Sequence, residues 1–277
     1  MRIDTHQHFW KINDTEYPWI TEELSKIRRD FLPTDLQPLL EACNLQASIA
    51  VQARQKVEET EWLLELAKDH ESIAGVVGWV PLAENQAEPY LEKFSADKNL
   101  LGVRHVVHDE EDPQFILGKD FNEGVARLKN YGLVYDILIF ARHLAPSIQF
   151  VDQHPDQPMV LDHIAKPTIR RGNFDSEWRD HMLELGKRPN IYCKISGMAT
   201  EVRDNDWDVE LLRPYFETTL EAFGPQRLVY GSDWPVCLLK TDYERWYKAV
   251  NELISGLSDA EQKAIWDENV RKAYHMD

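Results

Sequence analysis

Eight short apolar runs punctuate the chain: RIDTHQH, ASIAVQA, IAGVVGWVPL, LLGVRHVV, LVYDILIF, MVLDHIA, IYCKISG and LVYGSDW. They are nearly continuous in apolar residues rather than alternating. That is the pattern of strands buried on both faces of a parallel sheet. Stretches with helical periodicity lie between most of them. In VEETEWLLELAKDH, Leu63, Leu66 and Ala67 share one face, and in DFNEGVARLKNYG, Phe121, Val125 and Leu128 do, with Gly132 as a stop. Pro146 opens a short helix carrying Ile148 and Val151. DSEWRDHMLELG and DVELLRPYFETTLEAFG each end on a glycine, and SDAEQKAIWDENVRKAY begins with Ser258 and Glu261 at the spacing of a capping box.

Strands alternating with helices eight times predict an α/β fold, a (β/α)8 TIM barrel occupying residues 1–277 as one domain. The competing arrangement is a doubly wound open sheet. That fold usually carries a Gly-rich phosphate turn after its first strand, where this chain has HQHFW. Segment 9–33 contains Tyr17, Pro18 and Trp19, too many aromatics for a spacer, and is expected as an insertion over the barrel mouth.

Composition narrows the partners. With a net charge of −17, the chain lacks the basic face that nucleic acid or an anionic membrane requires. An anionic ligand would have to meet a few local Arg and Lys side chains. The three cysteines are far apart with no CxxC, as expected of free thiols in a reducing cytoplasm. The first residues carry no apolar signal core, and no run is long and apolar enough to span a bilayer.

In a TIM barrel the reactive groups gather at the C-terminal ends of the strands. His6 and His8 stand two apart at the end of the first strand, so both imidazoles reach one point, although an HxH pair also arises by chance on a surface. Asp233 follows the eighth strand, next to the first in a closed barrel; a turn or N-cap aspartate is its plainer role. His163 ends the sixth strand, with Lys166 in the loop beyond. Arg104 and His105 are adjacent on the fourth strand, so at most one points inward. Arg54 closes the second strand, and Trp79, Trp234 and Trp10 stand near strand ends, as sugar platforms or as packing. Lys194 on the seventh strand and Asp136 on the fifth are buried charges, either functional or a structural ion pair. His108 and His143 lie just past strands four and five as secondary candidates.

The pieces DTHQHFW, YPWI, RRDFLPTDL, VQAR, GWVPL, GVRH, LDHIAKP, YCKISG and YGSDWPV, in this order along most of the chain, resemble the amidohydrolase superfamily. More narrowly they resemble its amidohydrolase 2 branch, which contains sugar lactonases acting on L-fuconolactone and L-rhamnonolactone. The resemblance implies a barrel of the metal-dependent-hydrolase type that opens a sugar lactone with an activated water. His6, His8, His163 and Asp233 correspond to superfamily metal and catalytic positions, with Asp233 as general base. Arg54, Trp79, Arg104, His105, Lys194 and Trp234 are then expected to bind substrate. Binuclear members carry a carboxylated lysine or a glutamate on strand four and a histidine on strand five. This chain has Arg104–His105 and YDILIF there, so at most one divalent ion is implied. Zn²⁺ leads, held by His6, His8 and Asp233 with His163 as a fourth candidate. In a metal-free route, the two histidines at the first strand donate directly to the carbonyl oxygen. The alternatives are a metal-dependent decarboxylase of the same superfamily and a barrel that binds a sugar acid without turnover. The exact lactone and the oligomeric state stay open.

Overall fold

The computed structural model describes residues 1–84 and 86–276. Eight strands stand where the apolar runs lie: β1 (Ile3–Gln7), β2 (Ala47–Val51), β3 (Ile73–Gly78), β4 (Leu100–Val106), β5 (Val134–Leu138), β6 (Met159–Leu161), β7 (Ile191–Ile195) and β8 (Leu228–Tyr230). They pair in parallel in chain order, from β1 through β8. Gln7 bridges to Trp234, the His8 amide donates to the Trp234 carbonyl at 2.7 Å and the Asp233 amide to the His6 carbonyl at 2.8 Å, which brings the two ends of the sheet together into a barrel. Those closing bonds also fix the segment carrying Asp233 against the segment carrying His6 and His8.

Helices α1 (Pro33–Ala42), α2 (Val57–Asp69), α3 (Ala87–Ser95), α4 (Lys119–Leu128), α5 (Leu144–Gln153), α6 (Ser176–Leu185), α7 (Val209–Phe223) and α8 (Tyr243–Leu253) run between and after the strands. Of these, α1, α3 and α8 were not picked out by periodicity. Two of them carry prolines, Pro38 inside α1 and Pro89 in the first turn of α3, which weaken a helical signal. The stretch after Ser258 is broken where a continuous helix is expected. Its capping box forms, but a π-helical turn at Ala264–Glu268 separates two short helices.

Two apolar cores result. The larger lies between sheet and helices and contains helix faces such as that of the ten-residue α4, with Phe121, Val125 and Leu128 buried. The smaller fills the barrel interior: Ile3, Ile49, Val77, Val134, Val160 and Val229 point inward, and Val270 and Tyr274 close them off from one end. Two residues further along the strands, the same inward face becomes charged. Val134 is followed by Asp136, Val160 by Asp162, Tyr192 by Lys194 and Gly102 by Arg104. The period of two in a strand keeps each pair on one face, so the charged layer lies on the apolar plug.

Candidate active site

Above that layer the strands' C-terminal ends enclose a cavity of about 280 Å³. His8, His163, Asp233 and Arg104 line it from the barrel side; His108, Lys166 and Trp19 line it from the loops. Trp19 comes from the aromatic segment between β1 and α1.

His6 and His8 reach the same point because both sit at the end of β1. Their Nε2 atoms are 3.2 Å apart. Asp233 Oδ1 lies 3.5 Å from His8 Nε2, 3.9 Å from His6 Nε2 and 3.8 Å from His163 Nε2. His163 arrives by an unusual route: residues His163, Ile164, Ala165 and Lys166 all have positive φ, a left-handed turn directly after β6. Its ring rests against Gly197, where a Cβ would come within 2.7 Å of His163 Nδ1. Since Gly197 also has φ +66°, glycine suits that position twice over.

Each imidazole has an anchor behind it. His8 Nδ1 lies 2.7 Å from the Val51 carbonyl, an acceptor, so Nδ1 carries the hydrogen and Nε2 presents its lone pair to the cavity. His163 Nδ1 is 2.8 Å from the Ser196 hydroxyl. His6 Nδ1 faces Asp162 Oδ1 at 3.3 Å and Lys194 Nζ at 3.2 Å. Burial holds all three imidazoles below their ordinary pKa and hence neutral, His6 and His163 most strongly. Burial also works to raise the Asp233 carboxyl, but His163 and the His8 contact outweigh it, and Asp233 is left below the usual carboxylate range.

Beneath the cavity is a buried ionic cluster. Lys194 Nζ donates to Asp136 Oδ2 at 2.6 Å and lies 2.9 Å from Asp162 Oδ1. Arg104 Nη1 donates to Asp162 Oδ2 at 2.9 Å and approaches His6 Nε2 at 3.2 Å, while its Nη2 donates to the Gln52 carbonyl. Tyr274 donates to Asp136 at 2.8 Å. Burial works to raise Asp162, yet Lys194, His6 and Arg104 hold it well below the carboxylate range. Two cations thus face two carboxylates with matched charge, as burial at this depth requires.

The donor set fits one divalent ion. A tetrahedral ion with ligands at 2.0–2.2 Å needs donor atoms about 3.4 Å apart, close to the 3.2, 3.5 and 3.9 Å among His6, His8 and Asp233. The His8 lone pair is directed into that space, and the Arg104 guanidinium, whose Nη1 is 3.2 Å from His6 Nε2, would have to turn from His6 when an ion binds. The second acidic group, His6, Asp162 and His163, is a poorer fit. Asp162 is already committed to Lys194 and Arg104, whose charges oppose another cation.

The structure divides the substrate-binding candidates. Arg104 lines the cavity. Lys194 lies wholly buried beneath His6. Arg54 pairs with Glu16 and stacks on Tyr17, in a separate cleft. Trp79 donates its indole N–H to His105 Nδ1 at 3.3 Å. His105 Nε2 contacts Glu110 at 2.6 Å, and its ring stacks on Phe115 on the far side of β4 from Arg104. Trp234 is buried edge-on against Phe31 and Phe9. Arg54, Trp79, His105 and Trp234 therefore lie outside the cavity lining, held by packing partners. Direct donation from His8 to a carbonyl oxygen is also closed to its neutral form, because its single hydrogen goes to Val51. The sequence singles out neither Asp162, although it adjoins His163, nor Ser196.

A family model described as amidohydrolase matches residues 3–276. An L-fucono-1,5-lactonase of Burkholderia multivorans is 41% identical across 100% of this chain and 96% of its own. An L-fucono-1,5-lactonase of Burkholderia ambifaria is 35% identical over 88% of this chain and 85% of its own. Among solved structures, an amidohydrolase from Burkholderia multivorans with bound zinc is 40% identical, covers 100% of both chains and superposes with a TM-score of 0.94.

Proposed function

The chain belongs to the amidohydrolase family, and on that footing we propose that it is a lactonase that opens a sugar lactone, L-fucono-1,5-lactone first, to the sugar acid. The observation that carries the reading is the Asp233 carboxylate at the barrel mouth with the Nε2 atoms of His6, His8 and His163 all within 3.9 Å of its Oδ1. The two L-fuconolactonase relatives support lactone opening over decarboxylation.

Asp233 takes a proton from water as the water oxygen bonds to the lactone carbonyl carbon. In the tautomer in which the Ser196 hydroxyl donates to His163 Nδ1, His163 Nε2 carries a hydrogen and donates to the carbonyl oxygen as it becomes negative. Arg104, held by Asp162 and the Gln52 carbonyl, lines the same cavity with its charge already engaged by Asp162. When the carbonyl re-forms, the ring C–O bond breaks and Asp233 returns its proton to the ring oxygen. The new carboxylic acid then releases one proton to solvent. His6, His8 and Asp233 would hold a divalent ion, which when bound supplies Lewis-acid charge beside the carbonyl. The cavity takes a small molecule, and no helix among the described residues is long and apolar enough to cross a membrane. The three free, buried cysteines support a place in the cytoplasm.

The test is proton release, followed with a pH indicator, on a panel of aldonolactones with and without prior chelation. Rapid opening of L-fuconolactone is expected. Silence across the panel, before and after Zn²⁺ is added back, overturns the reading.

A further inference from the structure

Lys166 differs from the other cations around the cavity. Arg104 spends its charge on Asp162, and Lys194 on Asp136 and Asp162. Lys166 is half-buried in the cavity wall and forms no ion pair among the described residues; its ammonium lies 5.6 Å from the centre of the Phe140 ring. The carboxylates of Asp109, which lines the same cavity, Glu201 and Asp233 lie close enough to feel its charge, yet none of them engages it in a salt bridge.

Its position is also built at a cost. Lys166 has φ 47° and ψ 62° and ends the left-handed run that begins at His163. Each non-glycine residue in that region costs roughly 1 kcal/mol. The run is retained because Ile164 and Ala165 are fully buried, Trp178 donates to the Ile164 carbonyl at 2.8 Å and the Lys166 amide closes onto the His163 carbonyl at 2.8 Å. One strained turn thus delivers both His163 and Lys166 to the same cavity.

A neutral lactone does not need a cavity lysine held free of any salt bridge, but its hydrolysis product is an anion. That anion forms beside Asp233, which is itself negative, and Arg104 is already neutralised. We propose that Lys166 binds the carboxylate of the sugar-acid product and gives the site its preference for the acid over neutral sugar ligands of the same shape. This rests on the lactonase reading. Lys166 offsets the repulsion from Asp233, so the product is held long enough to inhibit turnover.

The experiment compares L-fuconate with its neutral amide as competitive inhibitors of wild type, Lys166→Met and Lys166→Arg. Wild type should favour the acid by roughly ten-fold or more. Lys166→Met should lose that preference, and Lys166→Arg should keep most of it. A Lys166→Met enzyme with a wild-type melting curve and an undiminished preference overturns the assignment. If wild type opens no aldonolactone, the lactonase reading falls. Tryptophan fluorescence, reporting through Trp19 in the same cavity, then reads L-fuconate and amide binding directly, and equal or absent binding overturns the Lys166 assignment as well.

Discussion

The Nδ1 of His8 lies 2.7 Å from the carbonyl oxygen of Val51, and this contact between neighbouring strands decides what His8 can do. With its hydrogen committed to β2, the neutral ring turns a lone pair toward Asp233. A ligand for a cation is thereby made, and a donor to a substrate is lost.

One consequence is a zinc stoichiometry. Chelated protein titrated calorimetrically with Zn²⁺ should take up one equivalent. His8→Asn should weaken that uptake at least ten-fold while His105→Asn does not, since His105 faces Glu110 and Phe115. Two equivalents of similar affinity would contradict the assignment of Asp162 to Lys194 and Arg104.

Asp233→Asn retains the shape of the side chain but cannot take a proton from water. General-base assistance contributes about 10²- to 10⁴-fold, so kcat on the cognate lactone should fall by that factor with an unchanged circular dichroism spectrum. Full turnover in this variant would remove Asp233 from the mechanism.

Lys194→Met leaves Asp136 and Asp162 facing one cation where there were two. Removing one partner of a buried ionic group costs about 3–5 kcal/mol, at about 2–4 °C of Tm per kcal/mol for a chain of this size. A drop on the order of 10 °C should appear in a thermal melt at pH 8. The loss should be smaller at pH 5. Burial already raises Asp136 to about 6, so lower pH protonates it and removes the unmatched charge. An unchanged Tm would show that the cluster contributes nothing to stability.

Glu59 gives the stability a pH dependence of its own. It accepts from the Ala53 and Arg54 amides at 2.9 Å each and from Tyr17 at 3.1 Å, yet burial pushes its pKa from 4.5 up to about 7. The native state therefore binds this proton more tightly than the unfolded chain does. Its contribution is fully present below about pH 4.5 and is lost as pH rises through about 7, an amount on the order of 3 kcal/mol. Urea unfolding at pH 5 and pH 8 should show this slope, and Glu59→Gln should flatten it, because Gln can accept both amides and donate to Tyr17. An identical slope in the variant would assign the dependence to another group.

The eight strands were legible because a parallel strand covered on both faces needs an unbroken apolar run, and that requirement is local. His6 and His8 were legible for a similar reason, since a strand's period of two puts them on one side. Alternation also implied that at most one of Arg104 and His105 faces inward; packing of His105 against Glu110 and Phe115 leaves Arg104 as that one. Asp162 was hidden because the chain turns left-handed immediately after it, so both it and its neighbour His163 reach His6, against the alternation a strand would impose. Arg54 and Trp234 stand at strand ends as the active residues do, but Glu16 and Phe31, distant in sequence, hold them away from the cavity. What the sequence determined by itself was therefore the barrel and the strand-end positions of its imidazoles and Asp233, because both follow from local periodicity. Which charges are paired and which face the cavity was decided only by the tertiary structure, because pairing depends on distances between residues far apart along the chain.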